Sequence, residues 1–150
     1  MKRACLFLGL LLLACAAQAA EPFTITDEFV AYIQQGANPQ GFGLAKDGRF
    51  YPYSTSLGRR IAWRQAVADK AWFAAGWPKA DAVQQLRTDL DRALAEARQL
   101  VARQQPARSF DALPRAAQEM LVDFIHSEGA TNIAPAFVTA VLAGDRPRLI

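Results

Sequence analysis

The stretch from Ala82 to Val101, AVQQLRTDLDRALAEARQLV, predicts the longest helix of this chain. Its apolar residues recur at steps of three and four, the spacing that places side chains on one face of an α-helix. Opposite charges four residues apart also favour this helix: Arg87 with Asp91, and Arg92 with Glu96. Pro106 follows, and because proline lacks the backbone N–H that a helix needs, we expect the helix to end before it.

Four shorter helices are predicted around the long one. Thr26 is a suitable N-cap, and prolines at 114 and 135 fit the first turn of a helix. Glycines follow each apolar segment, where the left-handed end of a helix favours glycine. The expected helices and their end signals are Thr26 to Gly36, about Gln65 to Ala75 with Gly76 after it, Pro114 to Gly129, and Pro135 to Gly144.

Between Gly36 and Gly58 the pattern changes from helical to turn-rich. Five glycines and two prolines interrupt an aromatic run in this segment. Its clearest turn is Lys46-Asp47-Gly48-Arg49, since Asp-Gly tolerates positive φ. We therefore predict an α+β fold that is mainly α, with a small β-hairpin lobe packed against a helical lobe and a cleft between them.

The first nineteen residues have the features of a secretory signal peptide. Lys2 and Arg3 supply a positive start, residues 6–14 are apolar, and small residues stand at 17 and 19. We expect cleavage there, leaving a single domain over residues 20–150 that is periplasmic or secreted. Cys15 lies in a segment that resembles a lipobox. Lipidation at Cys15 is the alternative, and it is the one route by which we expect a membrane to be a partner.

Removal of this leader changes the composition of the mature chain. Both cysteines lie within it, so no disulfide is predicted. Loss of Lys2 and Arg3 takes the net charge from +3 to +1, which gives no indication of a nucleic-acid partner. The sequence also has no metal-ligand cluster, phosphate-binding glycine loop or nucleophile motif, and no cofactor is predicted.

Three stretches carry a family resemblance. The first is Gly76-Trp77-Pro78-Lys79-Ala80-Asp81-Ala82 with the Leu-x-x-Asp-Leu step that follows it, and the others are residues 113–129 and 136–145. Together they resemble the phage-type lysozymes, the muramidases of the T4 lysozyme and pesticin kind. The resemblance implies a lysozyme-like fold in which the long helix joins the two lobes. It also implies peptidoglycan or its fragments as the partner.

The resembled family places its catalytic acid, a Glu, just before a Gly at the end of the first helix. The matching pair here is Gln35-Gly36. An amide cannot donate a proton at neutral pH, and general-acid catalysis typically contributes about 10²–10⁴-fold. The resemblance therefore implies a lysozyme-like protein with lost or weak muramidase activity.

The family's second carboxylate can be matched in two ways. If Lys46-Asp47-Gly48 is the family's Lys-Asp turn, Asp47 is retained. If Arg60 to Arg64 matches the family's Thr-Ile-Gly-Tyr-Gly strand, the position falls near Tyr53 or Ser54 and the carboxylate is lost. We prefer the second registration, because Gly58 then falls on the family's hairpin glycine. Ala62 and Arg64 then replace the two strand glycines.

Further residues are candidates for ligand contact. Tyr53 and Trp63 could stack on sugar rings, although aromatic residues in a small β-lobe also fill its core. His126, Ser127 and Glu128 fall in the segment that borders the cleft of the resembled fold. His126 is also explained as a wall residue, and Glu128 as an exposed helix end.

Three functions stay open on the sequence. The first is an exported lysozyme-like protein that binds peptidoglycan without cleaving it efficiently, and the second is a muramidase that uses relocated carboxylates. The third is an exported protein-protein interaction factor, an immunity or accessory protein, on the same scaffold. The sequence ends at Ile150, soon after Gly144-Asp145, where the resembled lysozymes continue through further helices.

Overall fold

A computed structural model describes residues 21–56, 58–67 and 71–143. The predicted signal peptide, the Cys15 alternative and the predicted stop at Gly144 lie outside these residues. The described part of the chain is an α+β fold that is mainly helical. Its elements in chain order are α1 (Asp27–Ala37), β1 (Arg49–Phe50), β2 (Tyr53–Thr55), β3 (Gly58–Ile61), β4 (Gln65–Ala66), α2 (Trp72–Ala75), β5 (Trp77–Pro78), α3 (Lys79–Gln104), α4 (Arg115–Glu128) and α5 (Pro135–Ala143).

Helix α1 begins as predicted and ends one residue later than predicted. The Thr26 hydroxyl accepts a hydrogen bond from the Phe29 N–H at 3.3 Å, so Thr26 is the N-cap. Gly36 keeps a helical conformation, and the helix continues through Ala37 to a C-cap at Asn38. The prediction that Gly36 stops the helix is therefore wrong, because the side chain of Asn38 organises the chain after the helix instead.

Asn38 is buried and fully hydrogen-bonded. Its side-chain nitrogen donates to the carbonyl oxygens of Phe42 at 3.0 Å and Ala62 at 2.9 Å. Its side-chain oxygen accepts from the Phe42 N–H at 2.8 Å. The end of α1 is thereby fixed to the following loop and to the residue after β3.

Two small antiparallel sheets follow α1. Strand β1 pairs with β5, while β2, β3 and β4 form a sheet in that order. The predicted turn before β1 is confirmed: the Ala45 carbonyl accepts from the Gly48 N–H, and Gly48 has a φ of 75°. The Asp47 carboxylate accepts from the Arg49 N–H at 3.0 Å, which stabilises the same turn.

The helix predicted from Gln65 is wrong at its start and right at its end. Gln65 and Ala66 form β4, whose register pairs Gln65 with Ile61. The helical segment there is confined to Trp72–Ala75, and Gly76 ends it with a φ of 67°. A side chain at Gly76 would meet the Tyr51 ring at 2.8 Å, so this position requires glycine.

Helix α3 spans 26 residues and confirms the long helix predicted from the apolar spacing. It contacts β5 near its start and α4 along its length. The predicted pairing of Arg87 with Asp91 is replaced by an ion pair between Arg87 and Asp27 of α1. Arg92 likewise pairs with Asp89 at 2.9 Å instead of Glu96. Arg87 thus pairs with a residue of another helix. Arg92 pairs with the residue three positions before it and not with the one four positions after it.

One hydrophobic cluster joins the sheets and the helices. It runs from Phe23 and the buried face of α1 through Phe50 and Trp63 to the buried faces of α3, α4 and α5. Helix α4 begins after Pro114 and ends at Gly129 as predicted, and α5 begins at Pro135. None of the described helices combines the length and the apolar character needed to cross a lipid bilayer.

Replacing Asn38 with Ala is expected to lower the free energy of unfolding by about 2 to 3 kcal/mol, since it removes the three hydrogen bonds that the buried Asn38 side chain makes with the backbone of Phe42 and Ala62. Urea unfolding of the purified protein measures this change. The matched control is Gln99→Ala, which removes an amide from an exposed position of α3. Equal stability of the two variants would contradict the structural role given to Asn38.

Candidate functional site

A cleft of about 900 Å³ lies between the three-stranded sheet and the long helix. We call it the central cleft. The end of β2, the turn between β3 and β4, and β4 itself form one wall. Helix α3 and the last turn of α4 form the other, and α2 with β5 close one end. The cavity falls within the range of about 300–1,000 Å³ typical of small-molecule sites.

Three tryptophans line the central cleft. Trp72 and Trp77 are stacked with their ring centroids 4.4 Å apart and nearly parallel. Trp63 packs edge-on against Phe50 at 5.1 Å. Trp63 and Trp77 are buried, whereas Trp72 is half-buried and presents more of its surface. The cleft therefore offers an aromatic surface held rigid by packing beneath it.

Four of the predicted site residues line this cleft: Trp63, His126, Ser127 and Glu128. The last three occupy the final turn of α4, which Gly129 ends with a φ of 82°. Helix α4 packs on α3, and this packing turns the end of α4 toward the cleft. Their placement agrees with the cleft segment that the resemblance implied.

The other four predicted residues lie outside the lining formed by the described residues. Gln35 is exposed on α1, and Ser54 is exposed on β2. Asp47 is engaged in the turn before β1, where its second oxygen also accepts from the Tyr51 hydroxyl at 3.3 Å. The Tyr53 hydroxyl donates to the Ala62 carbonyl at 3.1 Å. Their neighbours reach the cleft instead: Ala37, Thr55 and Ser56.

Helix α3 contributes residues that were not predicted from the sequence. Asp81, Gln85 and Asp89 all line the cleft and recur every four residues, so they form one stripe along the helix. Arg92 continues this stripe. The four-residue spacing of polar residues beside the apolar face was the signal that could have identified them.

The sheet wall contains two strained backbone positions. Ala62 has a φ of 48° and Arg64 a φ of 66°, and they are the non-glycine residues with positive φ among the described residues. This conformation favours glycine, because a β-carbon crowds the neighbouring carbonyl. These are the two positions at which the preferred registration of the resembled family has glycine.

The cleft carboxylates are arranged along the helical wall. One Asp89 oxygen accepts from the Gln85 amide at 3.1 Å and from the Arg92 guanidinium at 2.9 Å. Asp81 and Glu128 are exposed. The described residues contain no group of three or more His, Cys, Asp and Glu side chains placed to hold a metal ion.

Among the described residues that line the cleft, His126 is the one whose pKa is shifted. Burial lowers the pKa of His126 below its ordinary value, and the charge of Arg92 acts in the same direction. The carboxylates of Asp89 and Asp123 oppose this effect. Burial raises the pKa of Asp123, whose carboxylate accepts from the Ser127 hydroxyl at 3.4 Å behind the lining. His126 is thus favoured in its neutral form, which can both donate and accept a hydrogen bond.

Comparison of the chain with protein-family models, with curated proteins and with solved structures found no match. The central cleft and its chemistry therefore provide the main grounds for a functional proposal. The resemblance noted in the sequence adds the chemical class of the ligand.

Replacing His126 with Gln is expected to reduce the loss of stability at acid pH. Because the pKa of His126 is lower in the folded protein, the unfolded chain binds this proton first as the pH falls below about 6.5, and the folded state loses stability until its own pKa is reached. The variant lacks this contribution. Thermal unfolding at about pH 7.5 and pH 5.5 measures the difference.

Asp123→Asn provides the opposite control. The raised pKa of Asp123 means that the folded protein binds this proton first, so protonation of Asp123 stabilises the fold as the pH falls. The Asn variant should therefore lose more stability on acidification than the wild type. An identical pH dependence for all three proteins would rule out this account of the two groups.

Proposed function

We propose that this protein is an exported lysozyme-like protein that binds peptidoglycan or its fragments in the central cleft and has lost efficient muramidase activity. The observation that carries the proposal is the cleft itself, with three tryptophans in its lining and charged side chains on both walls. Saccharide rings have an apolar C–H face and a rim of polar groups. The tryptophans of this cleft can contact the apolar face, and its charged and polar side chains can bind the polar rim.

The order of elements supports the lysozyme-like part of the proposal. A short helix precedes a small β-region, and a long helix then contacts both β5 and α4, as expected of a helix that joins two lobes. The positive φ angles of Ala62 and Arg64 support the same registration, since the family has glycine there. On this registration we propose that the cleft corresponds to the family's glycan site.

The lining also offers the polar contacts that a glycan requires. His126 and Ser127 at the end of α4 supply donors, while Asp81 and Glu128 supply acceptors. Hydroxyl and acetamido groups of a sugar can use both kinds. The half-buried ring of Trp72 is the surface best placed for a sugar ring to stack.

Efficient hydrolysis requires more than these contacts. A glycosidase needs one carboxylic acid that keeps its proton beside the leaving oxygen and a second carboxylate some 5 to 9.5 Å from it. The position of the family acid is Gln35, which is exposed on α1. Asp47 is engaged by Arg49 and Tyr51 in its turn. We therefore propose binding as the function that remains.

Purified mature protein is expected to co-sediment with purified sacculi and to release no reducing sugar from them. Trp72→Ala should weaken this binding by about tenfold, the effect of losing one aromatic stacking contact. Phe73→Ala is the matched control, because Phe73 is an exposed aromatic neighbour outside the described cleft lining. Failure of the wild type to bind sacculi would contradict the proposal and favour the interaction-factor alternative.

Gln35→Glu is expected not to create muramidase activity. A carboxyl group at this exposed position has no burial to hold its proton at neutral pH, so it cannot act as a general acid. Release of reducing sugar from sacculi, compared with the wild type, measures this. A gain of activity would overturn the proposed reason for the loss and show that residue 35 reaches the reacting bond.

A further inference from the structure

The sheet wall of the central cleft carries a cluster of hydrogen-bond donors that form no ion pair with the described residues. We propose that Arg60, Arg64 and Gln65 form a subsite for a carboxylate of the bound muropeptide. This inference rests on the proposed function and deepens it, because it states which chemical group of the ligand selects the cleft. We call these three residues the carboxylate subsite.

The three residues line the same cleft, Arg60 from β3, Arg64 from the turn after it and Gln65 from β4. Arg60 lies on β3 opposite Ala66, the residue that follows Gln65 on β4. Arg60 also pairs across the sheet with Tyr53. Burial raises the pKa of the Tyr53 hydroxyl, and the charges of Arg64 and Arg60 both oppose that rise. The two guanidinium groups are therefore both near enough to Tyr53 for their charges to act on its hydroxyl.

Neither arginine of the subsite forms an ion pair within the described part of the chain, although the charge of Arg64 acts on the carboxylate of Asp123. The ion pairs found there use other arginines: Arg87, Arg92, Arg98 and Arg115. Arg60 donates only weakly, to the Arg59 carbonyl at 3.3 Å. Arg92, on the opposite wall, is by contrast paired with Asp89. Unpaired guanidinium groups in a concave site attract an anion and can bind a carboxylate through two parallel hydrogen bonds.

Gln65 contributes a further donor to the carboxylate subsite. Its side-chain oxygen accepts from the Trp63 N–H at 3.3 Å, but its buried side-chain nitrogen has no acceptor among the described residues. A buried donor without an acceptor is unfavourable. A carboxylate oxygen bound between Gln65 and the two arginines would satisfy it.

The chemistry of the proposed ligand fits this set of donors. A muropeptide carries carboxylates on its peptide stem, and its lactyl group has a free carboxylate only where the stem has been removed. A chito-oligosaccharide with the same number of rings is neutral. Both ligands present sugar rings to the aromatic lining of the cleft, so stacking does not distinguish them. The carboxylate subsite should therefore make the cleft prefer the muropeptide.

Calorimetric titration with the two ligands tests this preference. The wild type should bind a disaccharide muropeptide at least about tenfold more tightly than the neutral chito-oligosaccharide, as expected of charge-assisted hydrogen bonds. The double variant Arg60→Ala/Arg64→Ala should lose this preference and keep its affinity for the neutral ligand. N-acetylmuramic acid alone and the free stem peptide distinguish the two sources of carboxylate.

Arg59→Ala is the matched control on the same strand. Arg59 neighbours Arg60, but its guanidinium lies over the Phe73 ring at 5.1 Å and it does not belong to the described lining. This variant should bind both ligands like the wild type. Melting temperatures of all variants separate a change in binding from a change in folding.

The outcomes separate the subsite from the proposed function. If the wild type binds neither ligand, the proposed function itself fails. If it binds both ligands equally, and the double variant does the same, the carboxylate subsite is overturned while glycan binding stands. If the double variant loses the neutral ligand as well, the arginines shape the cleft and do not select a carboxylate.

Discussion

The hydrogen bonds at the Ala62 carbonyl hold the candidate site in place. This oxygen accepts from the buried Asn38 amide at 2.9 Å and from the Tyr53 hydroxyl at 3.1 Å. Helix α1, strand β2 and the end of β3 thus meet at one atom whose two lone pairs are both used. The turn that follows is fixed by these contacts, and it is this turn that directs Arg64 and Gln65 toward the cleft.

The two walls of the cleft differ in charge because they come from different kinds of structure. The sheet wall has Arg60 and Arg64, which are close in sequence and separated by a tight turn. The helical wall has Asp81 and Asp89, which recur along α3 with Gln85 between them. The three tryptophans line the same cleft, so a ligand that stacks on them would have positive charges on one side and negative charges on the other.

The sequence predicted features that depend on local spacing. The apolar period of α3, the Asp47-Gly48 turn and the stop at Gly76 all follow from interactions within a few residues. The prediction of a helix from Gln65 was wrong, because the strand found there depends on pairing with β3 and on a turn anchored by the distant Asn38. Arg87 likewise pairs with Asp27, sixty residues away. The predicted cleft residues His126 to Glu128 came from the resemblance, whereas Asp81 and Asp89 needed the packing of α3.

The positive φ angles of residues 62 and 64 raise the question of why an arginine occupies position 64. A non-glycine residue in the left-handed region costs roughly 1 to 2 kcal/mol. At Ala62 the fully buried methyl group offsets part of this cost. Arg64 is exposed, so burial does not offset it there. Glycine at residue 64 would relieve the strain but would remove a guanidinium group from the cleft. The ligand contact proposed for that group would explain the strained residue, because strain of this kind concentrates at binding sites.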